Sequence, residues 1–264
     1  MKTQEKLTVD NDYFSSSLED GILVVRQKQH ILCLSQELED TFSFYEYMDS
    51  LLSNKSYKAS VMFVRSQQIS HIEYSRFLSR ILSSNWENKD LDRFVNVVNA
   101  LFLKLSTLNR MTVFAGQGTL SLFYLNIGLA HDYRIVAEDT VFENLNADIG
   151  LIAKGSGYFL PRLLGIRKAT EVLQWKSFPA EDALQLGLVD RIVPVSKLEE
   201  ETMQFVLRDP VHSSSTLLGI RKLFKCDIKD LKRSLELEDE LIKERLKSEE
   251  FRRTFTANRE NSFS

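Results

Sequence analysis

The chain has 264 residues, 43% of them hydrophobic and 27% charged, enough for one large soluble domain or a core with a helical appendage. A net charge of -3 leaves no basic surplus to neutralise phosphates, which argues against nucleic acid as a partner. Two cysteines, Cys33 and Cys226, are far apart and make no metal-ligand spacing, so no metal is expected and a reducing compartment is. The first thirty residues show no basic-then-apolar leader, and no apolar run reaches the length of a membrane span. A cytoplasmic protein without a membrane partner is the expectation.

Residues 1–13 are polar and expected to be loosely held. Ile22 to Val25 and Ile31 to Leu34 are short apolar runs that suit strands. Glu37 to Leu52 has apolar residues at helical spacing, and Ala59 to Val64 reads as a buried parallel strand. Ile72 to Leu82 and Leu91 to Leu108 read as helices, the second with Phe94, Val98, Leu101 and Leu105 on one face. Thr112 to Ala115 is the next strand. After Gly21 there is no glycine until Gly116, so any positive-φ turn in that interval must use another residue. Strands alternating with helices predict an α/β architecture.

Beyond Gly150 the pattern changes. Gly155 to Leu164 and Ala169 to Trp175 are expected helices, and PAEDAL begins another with Pro179 at its first turn. Gly187 ends that helix, and a short strand follows in LGLVDRIVP. Residues 196–208, 213–224 and 228–251 read as helices rich in paired charges. The stretch Glu236–Arg253 reads as a solvated helix face or an oligomer contact, and the last dozen residues as frayed.

The most informative stretch is AGQGTLSLFYLNIGLAHDYRIVAEDTVFENLNADIG, Ala115 to Gly150: strand, glycine turn, greasy helix, strand, polar loop. With GYFLPRLLGIRKATEVL and FPAEDALQLGLVDRIVP after it, this run resembles the crotonase superfamily of enoyl-CoA hydratases and isomerases. The likeness covers about residues 20–225 and is strong from 109 to 194. Upstream, VRQKQHILCLSQEL keeps the hydrophobic frame of the family's first turn and Ser35, with Leu32 in place of an Asn. The resemblance implies a spiral of ββα units over 14–195 and a helical C-terminal trimerisation region over 196–252, which leaves the polar ends 1–13 and 253–264 outside both. It implies a homotrimer or hexamer and an acyl-CoA or acyl-carrier thioester as ligand, with coenzyme A as part of the substrate and no separate cofactor.

In that family two backbone N–H groups hold the thioester oxygen while an enolate forms, an oxyanion hole built partly on a helix start. By resemblance the central-helix donor falls on Phe123, where Leu122-Phe123-Tyr124 replaces the family's Gly-Gly-Gly. The second donor falls near Ser70, in RSQQISHIEYSRF, where the family's Gly-Ala-Asp has no match. The two glutamates of the hydratases fall on Asn126 and Asn146. An amide has no proton to exchange near neutral pH, so ordinary hydration is not expected.

Each candidate has a plainer alternative. Asn126 reads equally as an orienter of substrate or water and as a satisfied core amide. Asn146 is also a common turn residue. Asp148 is the nearest substitute carboxylate, with a turn or cap Asp as the plainer reading; His71 is a candidate base or a capping residue. His131 and Asp132, at the far end of the central helix, read as structural. Tyr124 is a candidate lining residue for an acyl pocket, and Lys28 and Lys222 are candidate contacts for CoA phosphates. Two functions remain open. One is an enzyme that stabilises an enolate but does not hydrate, performing decarboxylation, C–C cleavage or thioester hydrolysis. The other is a non-catalytic scaffold or partner-binding protein with a degenerate site.

Overall fold

The computed structural model describes residues 7–12, 14–28, 47–50, 53–54, 56–65, 74, 89–147, 150–208, 219 and 228–253. Val9–Asp10 (β1), Phe14–Glu19 (β2) and Ile22–Gln27 (β3) form an antiparallel meander, turned at Asp20 and Gly21 with φ of 51° and 81°. Leu7 is buried and Val9 pairs with Ser16, so the inner part of the segment expected to be loose is tied into the sheet. Ala59–Arg65 (β4) and Met111–Gln117 (β5) continue the sheet in parallel from β3. The 19-residue helix Lys89–Thr107 (α1) leads into β5.

Two strand pairs then repeat one pattern. β5 is followed by Thr119–Ser121 (β6) and the helix Leu122–Leu129 (α2). Tyr133–Ala137 (β7) is followed by Val141–Glu143 (β8), a loop, and the helix Ser156–Val172 (α3). β5 and β7 pair in the large sheet, and β6 and β8 pair in a small one, both in parallel. Each unit thus gives one strand to each layer, which is the ββα spiral the resemblance implied. Ser177–Pro179 (β9) closes the small sheet on β8. Ala180–Gln185 (α4) then leads to Arg191–Val193 (β10), the last strand of the seven-stranded sheet, parallel to β7. Leu198–Arg208 (α5) and Ile228–Lys247 (α6) complete the described helices.

The strand period of two explains why the parallel strands are apolar along their whole length. Met62, Val64, Phe114 and Val136 face the core shared with α1, α2, α3 and the small sheet. Their neighbours Val61, Phe63, Val113 and Ile135 face a second core that α5 closes with Leu198 and Val206. Gly165, with φ 74°, breaks α3 where two separate helices were expected. Gly187, with φ 71°, follows α4.

The C-terminal helix departs from its sequence reading. Leu231, Leu235, Glu238, Asp239 and Leu246 of α6 are buried, so Glu236–Arg253 is not simply a solvated face. Of the other expected elements, Ile31–Leu34, most of Glu37–Leu52, Ile72–Leu82 and 213–224 lie outside the described residues, apart from Tyr47–Ser50, Tyr74 and Gly219.

Candidate functional site

The site begins at a crowded turn. A Cβ on Gly116 would meet Leu120 Cδ1 at 2.7 Å, and Gly118 adopts φ 71°, so the turn is crowded at one glycine and left-handed at the other. The chain then enters α2 through Ser121, whose extended backbone (φ -71°, ψ 157°) is that of an N-cap but whose side chain makes no capping bond. The first N–H groups of any helix lack intrahelical acceptors, so this end presents donors and the positive end of the helix dipole. Every residue of α2 is buried except Phe123. Its ring meets Phe102 edge-on at 6.2 Å.

A cavity of about 110 Å³ opens at this helix start. Leu91, Val95 and Val98 of α1, Ile242 and Leu246 of α6, and Leu151 to Ala153 give it apolar walls, with Leu122 and Phe123 beside them. Its polar lining comes from Ser121, Tyr74, Asn144 and Asn146, with Lys154 at the edge of the α6 contact. An apolar pocket with a few converging polar groups is the usual form of a small-molecule site. Tyr124 is not part of it: the side chain lies in the core, 2% exposed, and its hydroxyl accepts a hydrogen bond from Gln27.

The loop carrying Asn146 is held at several points. Asn144 Nδ2 donates to the Leu173 carbonyl at 2.8 Å, and Asn144 Oδ1 accepts from the Asn146 N–H at 3.2 Å. The Asn146 carbonyl accepts from the Leu151 N–H at 3.2 Å. The Asn146 side-chain Oδ1 accepts from the Tyr74 hydroxyl. Burial raises the pKa of that hydroxyl above the ordinary phenol value, so it remains a proton donor at physiological pH. Asn146 Nδ2 makes no hydrogen bond to any described residue.

Behind the cavity lies a compact charged cluster. Lys154 Nζ donates to Asp239 Oδ1 at 2.5 Å and to the Leu235 carbonyl, and stands 3.7 Å from Glu238 Oε2. Glu238 accepts from the backbone N–H groups of Gly155 and Gly157, at 2.8 and 2.7 Å, and so caps the start of α3. Asn99 Nδ2 donates to Asp239 Oδ2 at 2.6 Å. Burial raises the Glu238 pKa and outweighs the Gly155 and Gly157 N–H groups and Lys154, which pull it down. All three charges are under one-tenth exposed, so each depends on the others. The cluster locks α6 to the segment that leads from the cavity into α3.

A family model for enoyl-CoA hydratase/isomerase matches residues 83–263, more than half of the 264-residue chain. The chain belongs to the enoyl-CoA hydratase/isomerase family. Among curated proteins it is similar to the trans-2-decenoyl-[acyl-carrier-protein] isomerase of Streptococcus mutans, 28% identical over 137 residues. That match covers 51% of this chain and 52% of the relative, about half the length of each. Among solved structures, enoyl-CoA hydratase from Bacillus halodurans superposes with a TM-score of 0.76 at 21% identity, covering 93% of this chain and 99% of that one. A HypX variant from Aquifex aeolicus superposes at 0.72 with 15% identity, covering 94% of this chain and 45% of that one. At these identities the superpositions establish the fold, the crotonase spiral.

Within that family frame the two asparagines part company. Asn146 lines the cavity. Asn126 is fully buried and is not among the cavity residues; its Nδ2 donates to the Lys154 carbonyl at 3.0 Å and to Ser156 Oγ at 2.8 Å. Its Oδ1 has no partner among the described residues. Lys28 is half-buried, ion-paired with Asp10 and bonded to the Asn11 carbonyl at 2.7 Å. His131 Nδ1 lies 2.8 Å from the Ile127 carbonyl at the end of α2, and Asp132 accepts from the Thr112 N–H and hydroxyl. Ser70, His71, Asp148 and Lys222 lie outside the described residues.

Two features escaped sequence reasoning although each left a signal. Tyr74 stands four residues after Ser70, in the segment where the second backbone donor was expected. On α6 the positions Leu231, Leu235, Glu238, Ile242 and Leu246 fall on one helical stripe. A carboxylate on an apolar stripe demands a buried partner, and that demand is met by Lys154 and two backbone N–H groups.

Proposed function

We propose that the cavity binds an acyl thioester, carried on coenzyme A or on a carrier protein, and stabilises the thioester oxygen or its enolate with first-turn N–H groups of α2, that of Phe123 foremost. One observation carries this reading: an apolar cavity opens at a helix start that its own N-cap side chain leaves uncapped. A backbone donor works whatever side chain it bears, so Leu122-Phe123-Tyr124 in place of glycines narrows the site without removing the donor. Such donors act on charge as it develops, with little reorganisation.

Hydration is not the reaction in this reading. The described lining holds no carboxylate and no imidazole, and the Tyr74 hydroxyl and the asparagine amides do not exchange protons readily near neutral pH. Decarboxylation, C–C cleavage or thioester hydrolysis needs fewer acid–base groups, with Asp148 or His71 as the base and the segment at Ser70 as the second donor. Coenzyme A enters as part of the substrate, its phosphates near Lys28 and Lys222. The carrier-linked form is favoured by the name of the Streptococcus mutans relative. The remaining proposals are a homotrimer or hexamer built on the 196–252 region, and a cytoplasmic location.

The second reading, a non-catalytic scaffold or partner-binding protein, is favoured by Asn126. A fully buried amide that bridges Lys154 and Ser156 does a packing task where the family places a reacting group. Titration calorimetry with acetyl-CoA, crotonyl-CoA and free CoA decides whether a thioester site exists. Micromolar binding that depends on the acyl group is expected; no binding by any of the three removes the thioester reading and leaves the scaffold.

A further inference from the structure

The outer face of α3 combines exposed apolar side chains with charge of one sign. Residues 156–170 carry the cations Arg162, Arg167 and Lys168 and no carboxylate, in a chain whose net charge is -3. Gly165 breaks the helix, and a Cβ there would meet nothing within 4 Å. On either side of the break Leu163 is 50% exposed and Ile166 79%, the latter the most exposed large hydrophobic side chain among the described residues. An exposed apolar cluster rimmed by polar groups marks an interaction site.

The cations are oriented but not committed. The Arg162 guanidinium lies 3.7 Å from the centre of the Tyr158 ring, and Lys168 Nζ lies 5.3 Å from that of Trp175. Their ion pairs, Arg162 with Asp230 at 3.2 Å and Lys168 with Glu171 at 2.9 Å, are exposed. Each contributes at most about 1 kcal/mol, so carboxylates of a partner can replace them. Arg167 is exposed and ion-pairs with no described residue. By contrast, the exposed Leu237 and Leu241 of α6 stand among Glu236, Glu240 and Glu244. Those carboxylates repel an acidic partner, and the α3 cations attract one.

The face also lies within reach of the thioester site. Ile152 lines the cavity and is 40% exposed, so the cavity reaches the surface just before α3 begins. From Ser156 to Ile166 the helix advances about 15 Å. A phosphopantetheine arm is comparable to about five extended residues, or about 17 Å. Coenzyme A and a carrier protein share that arm and differ beyond it, so a protein surface is what selects the carrier.

We propose that Leu163 and Ile166, with Arg162, Arg167 and Lys168, dock an acyl carrier protein through carboxylates set around an apolar side chain. Docking there presents the thioester arm to the cavity mouth at Ile152. This rests on the thioester reading and specifies its carrier-linked form. The competing occupant is a second copy of this chain, docked by its acidic α6 face.

The test is calorimetry of the intact chain with octanoyl-acyl carrier protein, unacylated carrier protein and octanoyl-pantetheine, with oligomeric state followed by sedimentation. The expected Kd for the octanoyl carrier is about tenfold below that for octanoyl-pantetheine, an advantage that high salt removes by screening. Arg167→Glu and Ile166→Asp alter exposed side chains outside the cavity. Each should bring the advantage close to one and leave the affinity for octanoyl-pantetheine and the oligomeric state unchanged. Equal affinity for the two esters in the wild type overturns the proposal, as does an advantage that both variants retain. Dissociation of an oligomer by either variant gives the face to a second copy and overturns the carrier as its occupant. Binding of unacylated carrier that Arg167→Glu abolishes, with no binding of octanoyl-pantetheine, overturns the thioester reading and keeps the docking face. Failure of all three probes to bind overturns both.

Discussion

Two regions flank the start and second turn of α2, and each carries an asparagine on which the sequence resemblance sets a hydratase glutamate. On one side Asn126 is enclosed by the Lys154–Ser156 segment, itself fixed to α6 by Glu238 and Asp239. On the other, Asn146 sits on a braced loop with its amide nitrogen uncommitted in the cavity. The same side chain is thus a packing element in one place and a cavity-lining element in the other. What separates them is the surrounding polar satisfaction, which residue identity does not report.

The largest expected effect breaks the enclosed side. Lys154→Met leaves Glu238 and Asp239 buried without their cation and should lower stability by about 3–5 kcal/mol in chemical denaturation at pH 7. A loss under about 1 kcal/mol would mean that the cluster does not hold α6. Placing glutamate at each position sharpens the contrast. Asn126→Glu puts a carboxylate at a fully buried site and should cost about 3 kcal/mol or more, whereas Asn146→Glu should stay within about 1 kcal/mol. Equal costs would erase the distinction between the two regions.

Proton linkage gives a further contrast. The Glu238 pKa is raised above the ordinary 4.5, so the folded state holds its proton more tightly than the unfolded chain does. Its contribution is full below pH 4.5 and is lost as pH rises through the elevated value. The stability of the wild type relative to Glu238→Gln should therefore fall across that window, by about 1.4 kcal/mol per unit of elevation. On the open side, Phe123→Ala removes a wall and should improve the affinity for octanoyl-CoA relative to butyryl-CoA roughly tenfold by calorimetry. The smallest expected effect is Lys28→Ala. An exposed ion pair contributes at most about 1 kcal/mol, so stability should hardly change, while CoA thioesters should weaken relative to pantetheine thioesters.

The alternation of elements from Met111 to Val193 was legible because apolar period, glycine placement and the Pro179 start all act over short distances. The break at Gly165 and the end of α4 at Gly187 follow from the same local signals. The burial of α6 was not legible. Its charge-rich composition suggests solvent, and only the partners brought from Lys154 and Gly155, more than eighty residues away in sequence, make burial of Glu238 tolerable.

By itself the sequence determined the α/β spiral, its family and the place of the central helix. The tertiary structure alone decided that Asn126 packs while Asn146 faces a cavity, that Tyr74 fixes the Asn146 amide, and that α6 closes the site's far wall. Strand and helix are set by local periodicity and backbone preference. The fate of a polar side chain is set by which donors and acceptors the fold brings to it from distant parts of the chain.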